Sequence, residues 1–452
     1  MHATPGDSAA PPAAAPERAG ARTTPMRGGA RPRAGRGATR SRGPPRSRGG
    51  PRGPARGARG GARAAGGRGV GGSVVVLGGA GRVGASSARW LLELLGPGGA
   101  PPGGVVLAGR PSSGDGPAFE AARGRVDAAL PPALRGRLRP ACCDAESAQS
   151  VRDLAAREGA ALVVHAAGPF QGRTAPAALE GCLAAGVPFV DVCDDSRLVA
   201  AGRALSGRAR EGGIAAVTSG GIWPGVSALL AAEASERVGG AETLELSFFT
   251  AGTGGAGTAV VAATFLLLEE PVGCYAGGVE APADPWTEPR RVDFGGTVGE
   301  RTVYLLDNPE VGTLARSLDA QNVSSRFATA PGAWNALFGG LRAALPGSLL
   351  SDRGFASGLA RFSMPVIRAV DLAVGSRNAM HVRAVGGDGA ECCLRVQHPT
   401  LESCVGLGTA AFAVELLRGD VPPGVWAPPE LPAACRRRIL ERARRESDQW
   451  EV

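Results

Sequence analysis

Gly79, Gly81 and Gly84 stand in a G-x-G-x-x-G spacing within Gly78-Gly79-Ala80-Gly81-Arg82-Val83-Gly84. Such a spacing serves anion capture by the main chain. Gly79 is expected to allow a tight strand-to-helix turn. Gly81 removes a side chain where backbone meets a diphosphate, and Gly84 lets the helix pack closely on the strand. Arg82 and Val83, first in the helix, bring free N–H groups and partial positive charge to the phosphates. In a chain with 71 Gly the spacing alone says little, so its flanks decide. An apolar β-branched run, Ser73-Val74-Val75-Val76-Leu77, precedes it. A helical stretch with Leu91, Leu92, Leu94 and Leu95 follows and stops at Gly96-Pro97. A strand, a glycine turn and a helix in that order are the context a dinucleotide site requires.

Further residues extend the site. The run Val105-Val106-Leu107-Ala108 ends in Gly109-Arg110. An acid there would bind a ribose 2′-hydroxyl, whereas Arg110 is suited to a 2′-phosphate, so the expected cofactor is NADP(H) rather than NAD(H). Asp144 follows a third strand-like run and either caps the next helix or approaches the adenine. Ala167, Gly168 and Pro169 follow Leu162–Ala166, a fourth run whose small residues end near the cofactor. Catalytic candidates are His165, in that fourth run, and Asp194, just after Phe189-Val190-Asp191-Val192. His165 faces the cofactor or is a satisfied core histidine. Asp194 is an acid-base group or, with Asp195 and Ser196, part of a helix start. Trp223 forms an apolar wall beside the nicotinamide or merely packs.

These residues require an α/β fold. Strand-like runs at 73–77, 105–108, 138–143, 162–166, 189–192 and 214–217 alternate with helical stretches at 151–157, 177–185 and 198–210. That alternation predicts a doubly wound parallel (Rossmann) sheet over residues 72–240, with its ligand at the strands' carboxyl ends. From residue 241 the pattern changes. A strand at 243–250 leads through Gly252–Thr258 into a helix at 259–269. Short strands follow at 292–306, and a hairpin turns around Gly386-Gly387-Asp388-Gly389. This predicts a second α+β domain with a mixed sheet at 241–400, for a small-molecule substrate or for pairing into a homodimer. Helices at 405–417 and 433–444 then close the chain, with segment 401–452 returning to the Rossmann domain.

Composition excludes other chemistries. All 50 cations are Arg; without Lys there is no Schiff-base lysine, no Walker-type phosphate loop and no Tyr-x-x-x-Lys pair. The 9 Cys form no CxxC and the 4 His are scattered, so no metal site is expected. Residues 1–71 hold 15 Arg against Asp7 and Glu17, leaving 35 cations against 39 acids in the body, a balance unsuited to nucleic acid. The absence of Leu, Ile and Phe from this tail predicts disorder. Its Arg-rich, acid-poor composition resembles a transit peptide for the chloroplast, with mitochondrion or cytoplasm as alternatives. No apolar stretch reaches the ~18 residues of a membrane span.

Five segments together resemble the NADP-binding domain of the saccharopine dehydrogenase-like oxidoreductase family. They are residues 76–84, 108–110, Ala166-Ala167-Gly168-Pro169-Phe170, Gly186-Val187-Pro188-Phe189-Val190-Asp191 and Gly220-Gly221-Ile222-Trp223-Pro224-Gly225-Val226-Ser227. Their order covers roughly residues 72–235. The resemblance implies an NADP(H)-dependent oxidoreductase. It implies a plastid-type member rather than a true saccharopine-forming enzyme, because Trp223 stands where those carry Asp and Lys is absent. The alternative is a non-catalytic NADP(H)-binding sensor or scaffold.

Overall fold

The computed structural model describes residues 72–110, 116–251, 258–269 and 271–452. The Arg-rich tail at 1–71, with its expected disorder and chloroplast address, and the glycines at 252–257 lie outside the described residues.

In chain order the first part comprises β1 (Val74–Leu77), α1 (Arg82–Gly99), β2 (Val105–Gly109), α2 (Pro117–Ala129) and β3 (Leu138–Cys142). It continues with α3 (Ala148–Arg157), β4 (Leu162–His165), α4 (Ala177–Ala185), β5 (Phe189–Asp191), α5 (Ser196–Ala204), α6 (Ser206–Glu211), β6 (Ala215–Val217) and α7 (Val226–Arg237). The second part begins with β7 (Ala241–Ala251), α8 (Thr258–Leu266), β8 (Tyr275–Ala276), β9 (Val279–Glu280), β10 (Arg290–Asp293), β11 (Glu300–Leu305) and α9 (Glu310–Ser317). Then come β12 (Asn322–Ala330), α10 (Gly332–Ala344), α11 (Gly347–Leu350), α12 (Arg353–Val374), β13 (Arg377–Gly386) and β14 (Glu391–His398). The chain ends with α13 (Leu401–Arg418), β15 (Gly424–Trp426), α14 (Ala433–Ala443) and β16 (Gln449–Glu451).

The first sheet is parallel throughout, in the order β15-β6-β5-β4-β1-β2-β3. Helices cover both faces, which is why β1, β2 and β4 are continuous apolar runs rather than alternating ones. The strand order reverses at β1, which pairs with both β2 and β4. A crevice therefore opens beyond the carboxyl ends of β1 and β4. α1 loses regular helical geometry at Gly96 (φ 66), beside Pro97. The helix expected at 198–210 is two helices, α5 and α6, divided at Leu205.

The second sheet is mixed, in the order β10-β11-β12-β7-β13-β14-β16, with β8 and β9 appended at β12. β12 and β7 are parallel; β13 and β14 form the antiparallel hairpin. One core joins the two sheets. It runs from Val76 and Leu107 through Leu229 and Leu230 of α7 and Phe412 of α13 to Leu244 and Val382. α13 lies on α1: Trp90 Nε1 donates to Ser403 Oγ at 3.1 Å, and a Cβ on Gly406 would lie 2.2 Å from Ser86 Oγ. The closing segment holds more than two helices. It adds β15 to the first sheet and β16 to the second. A smaller core under α8, α10 and α12 centres on Phe265, Trp286 and Ala360.

Candidate functional site

The glycine turn leaves β1 and enters α1 at the point of strand reversal. The left-handed residue is Gly78 (φ 79), whose N–H donates to Ala108 O at 2.8 Å. Gly79 is needed because a Cβ there would lie 2.6 Å from Leu107 Cα. On Gly84 a Cβ would lie 2.3 Å from Gly78 O, so helix and turn touch backbone to backbone. Gly81 differs: its Cβ would meet only Gly78 O, at 3.1 Å. The protein leaves that space open. α1 begins there with no side-chain cap and no acid in its first turn. An open space at an uncapped helix N-terminus fits a diphosphate.

A cleft of about 1460 Å³ spreads from this turn. Gly81, Arg82, Val83, Arg110, Asp144 and Ala167-Gly168-Pro169 all line it. Arg110 is exposed at the end of β2. Arg82 pairs with Glu402 of α13 at 3.1 Å, so its guanidinium also braces the closing helix. Asp144 Oδ1 accepts from Glu146 N at 3.0 Å; the cap of α3 is Ser147, which accepts from Ser150 N. Glu146, an exposed residue of the same rim, lies 3.4 Å from Arg173 and 3.8 Å from Arg353.

Of the two readings of His165, its surroundings match the core one: the residue is buried and is not among those lining the cleft. Its ring lines a separate cavity of about 260 Å³. Arg173 Nη1 approaches His165 Nε2 at 3.2 Å, and Phe170 meets the ring edge-on at 5.1 Å. Burial first, then the charge of Arg173, pushes its pKa down to about 3. His165 is thus a neutral acceptor that helps seat Arg173, whose Nη2 donates to Ala167 O at 2.5 Å. Arg173 went unnoticed in the sequence because nothing local ties it to β4.

Asp191, Asp194 and Asp195 do three different things. Asp191 accepts from Ser219 N (2.8 Å), Cys193 N (3.1 Å) and Thr218 Oγ1 (3.2 Å), joining β5 to the loop after β6. Asp195 Oδ1 accepts from Leu198 N at 2.7 Å and is the cap of α5. Asp194 lines the cleft. Its Oδ1 is buried and has no hydrogen-bond partner among the described residues, and burial raises its pKa to about 6. A buried carboxyl that takes up a proton near neutrality is equipped for acid-base work.

The opposite wall belongs to the second sheet. Trp223 is half-buried and lies against Phe248 of β7, ring centroids 5.5 Å apart; both line the cleft. Glu310 of α9 was not foreseen. Its carboxylate accepts from Gly225 N (2.6 Å), Ser227 Oγ and Ala228 N (3.0 Å), capping α7 from 85 residues away. Its pKa is raised to about 7 by burial. Among the described residues no cluster of His, Cys, Asp and Glu is placed to hold a metal, and no helix is long and apolar enough to cross a membrane.

No protein-family model matches the sequence, and no curated protein matches it. Solved structures do match. Apo saccharopine dehydrogenase (L-Glu forming) from Saccharomyces cerevisiae aligns over 82% of this chain and 96% of that one, at 13% identity and a TM-score of 0.52. A meso-dapdh mutant with DAP from Clostridium tetani aligns over 80% and 95%, at 9% identity and a TM-score of 0.36. GenD2 from gentamicin A biosynthesis in complex with NAD aligns over 82% and 92%, at 11% identity and a TM-score of 0.36. The chain has a saccharopine dehydrogenase-like fold; at these scores only the first likeness carries weight, and it bears on fold alone.

Proposed function

We propose that the protein is an NADP(H)-dependent oxidoreductase acting on a small substrate held between the two sheets. The observation that carries this reading is the turn at Gly81, where an uncapped helix N-terminus opens into a cleft and no side chain among the described residues lies within 4 Å of where a Gly81 Cβ would stand. The diphosphate would meet the N–H groups of Arg82 and Val83. Arg110, with no acid at the end of β2, supports a 2′-phosphate and so NADP(H) over NAD(H). The nicotinamide half would extend over β4 and β5, past Ala167, Gly168 and Pro169 towards Asp194 and Trp223. When bound, the cofactor supplies or accepts hydride.

The chain's own residues do the rest. Trp223 and Phe248 exclude water from one side of the reacting centre. Asp194 holds a proton at Oδ1 for the substrate oxygen, or takes one from it in the reverse direction. Asp195 and Gln171 position Asp194: Asp195 caps α5, and Gln171 Nε2 donates to Asp194 O at 3.5 Å. Fluorescence titration with NADPH and with NADH tests the reading. Tighter binding of NADPH supports it; equal affinity removes the argument from Arg110, and saturation by neither removes the function.

A further inference from the structure

The cleft continues beyond the region the cofactor is assigned. Its volume exceeds the roughly 300–1,000 Å³ of an ordinary single-ligand pocket. The far half lies against the second sheet. Phe248 and Phe327 form its floor, and Phe338 and Leu341 of α10 form a wall. It opens between α10 and α12, where Leu337, Phe362 and Val366 line the cleft and yet are 44%, 83% and 58% exposed. Large apolar side chains held in water at a cavity's lip mark a binding surface.

Arg353, Arg361, Asp307 and Asp371 also line this half. Arg353 donates to Pro169 O and lies 3.8 Å from Glu146. Arg361 Nε donates to Ser357 O in its own helix. Asp307 accepts from Ser196 Oγ at 2.6 Å and Gly273 N at 2.9 Å. Beside these groups the lining is mostly apolar. A dicarboxylic substrate would leave that apolar lining uncovered by hydrocarbon.

We infer that this half takes an aliphatic chain, so that the substrate is a lipid-like molecule with a neutral carbonyl group or a polarised double bond near Asp194 and a hydrocarbon tail running to the lip at Phe362 and Val366. The position of the reacting end rests on the oxidoreductase reading; the apolar half does not.

The test is calorimetric titration with straight-chain methyl ketones of increasing length, in the presence and absence of NADPH, beside saccharopine as a dicarboxylic comparison. Each added methylene is expected to tighten binding by about fourfold until the chain reaches the lip. Phe362→Glu and Val366→Glu, both at exposed positions, should abolish the gain for the longest ketones and leave NADPH and the shortest ketones binding as before. Affinity that does not change with chain length, tighter binding of saccharopine, or lip variants that bind the longest ketones like the unaltered protein would each overturn the inference. Failure of NADPH to bind would instead strike the cofactor reading, and the series without NADPH would still decide this one.

Discussion

Gly81 and Gly84 sit three residues apart in one turn, yet replacing each with Ala should do different things. At Gly84 the new Cβ would lie 2.3 Å from Gly78 O and 3.0 Å from Gly79 Cα. All of these atoms are backbone, so no side chain can swing aside and the start of α1 must move. Overpacking of that kind costs about 1–3 kcal/mol. At roughly 2–4 °C per kcal/mol, Tm falls by several degrees. At Gly81 the backbone (φ −71, ψ 161) suits any residue, and the Cβ meets only Gly78 O at 3.1 Å. Folding should lose less than about 1 kcal/mol. The methyl would, however, stand where the diphosphate approaches the amides of α1. A loss of at least about 1.4 kcal/mol, or tenfold in Kd, follows for NADPH. Thermal unfolding by circular dichroism and NADPH titration of both variants separate the effects. If Gly81→Ala binds NADPH like the unaltered protein, the diphosphate does not lie at this turn. If it unfolds as early as Gly84→Ala, Gly81 is a packing residue.

Four further outcomes are expected. Arg110→Ala should weaken NADPH by about tenfold and leave NADH unchanged, since a charge-assisted bond to the 2′-phosphate is worth roughly 1.5–3 kcal/mol; equal losses for both would sink the assignment. Asp194→Asn should retain NADPH binding while turnover falls by about 10²-fold or more, and the unaltered enzyme's reduction rate should fall as pH rises through about 6. Glu415 is fully buried and pairs with Arg438 and Arg442, so Glu415→Ala should cost about 3 kcal/mol in denaturant unfolding. Burial raises the pKa of Glu310 above its unfolded value, to about 7. The native state then binds the extra proton, and the Glu310 contribution to stability falls as pH rises from about 4.5 to about 7. Glu310→Gln should flatten that part of the stability profile, and an unchanged slope would contradict the burial argument.

The parallel sheet was legible because its central strands β1, β2 and β4 are buried on both faces and so read as unbroken apolar runs. The glycine turn was legible because strand and helix frame it. Gly78 escaped notice because only the three-dimensional approach to Ala167 and Ala108 shows which of two adjacent glycines takes φ 79. His165 could be read as a cleft or a core residue because strand position alone does not say which side a ring takes; Arg173 and Phe170 decide it. Glu310 and the α7 amides it caps are distant in sequence, and no local signal links them. β15 and β16 are three residues each and gain their meaning from the strands they join. Residues 307–379 carry α9, α10, α11 and α12 around β12; their apolar positions face the cleft as well as the core, which blurs the helical pattern.

A crystal structure with NADPH bound tests the central claim most directly. The account predicts density for the diphosphate against the N–H groups of Arg82 and Val83, the 2′-phosphate beside Arg110, and the nicotinamide between Pro169 and Trp223 near Asp194. Density for the cofactor away from the Gly81 turn, or a turn that stays empty at saturating NADPH, would contradict it.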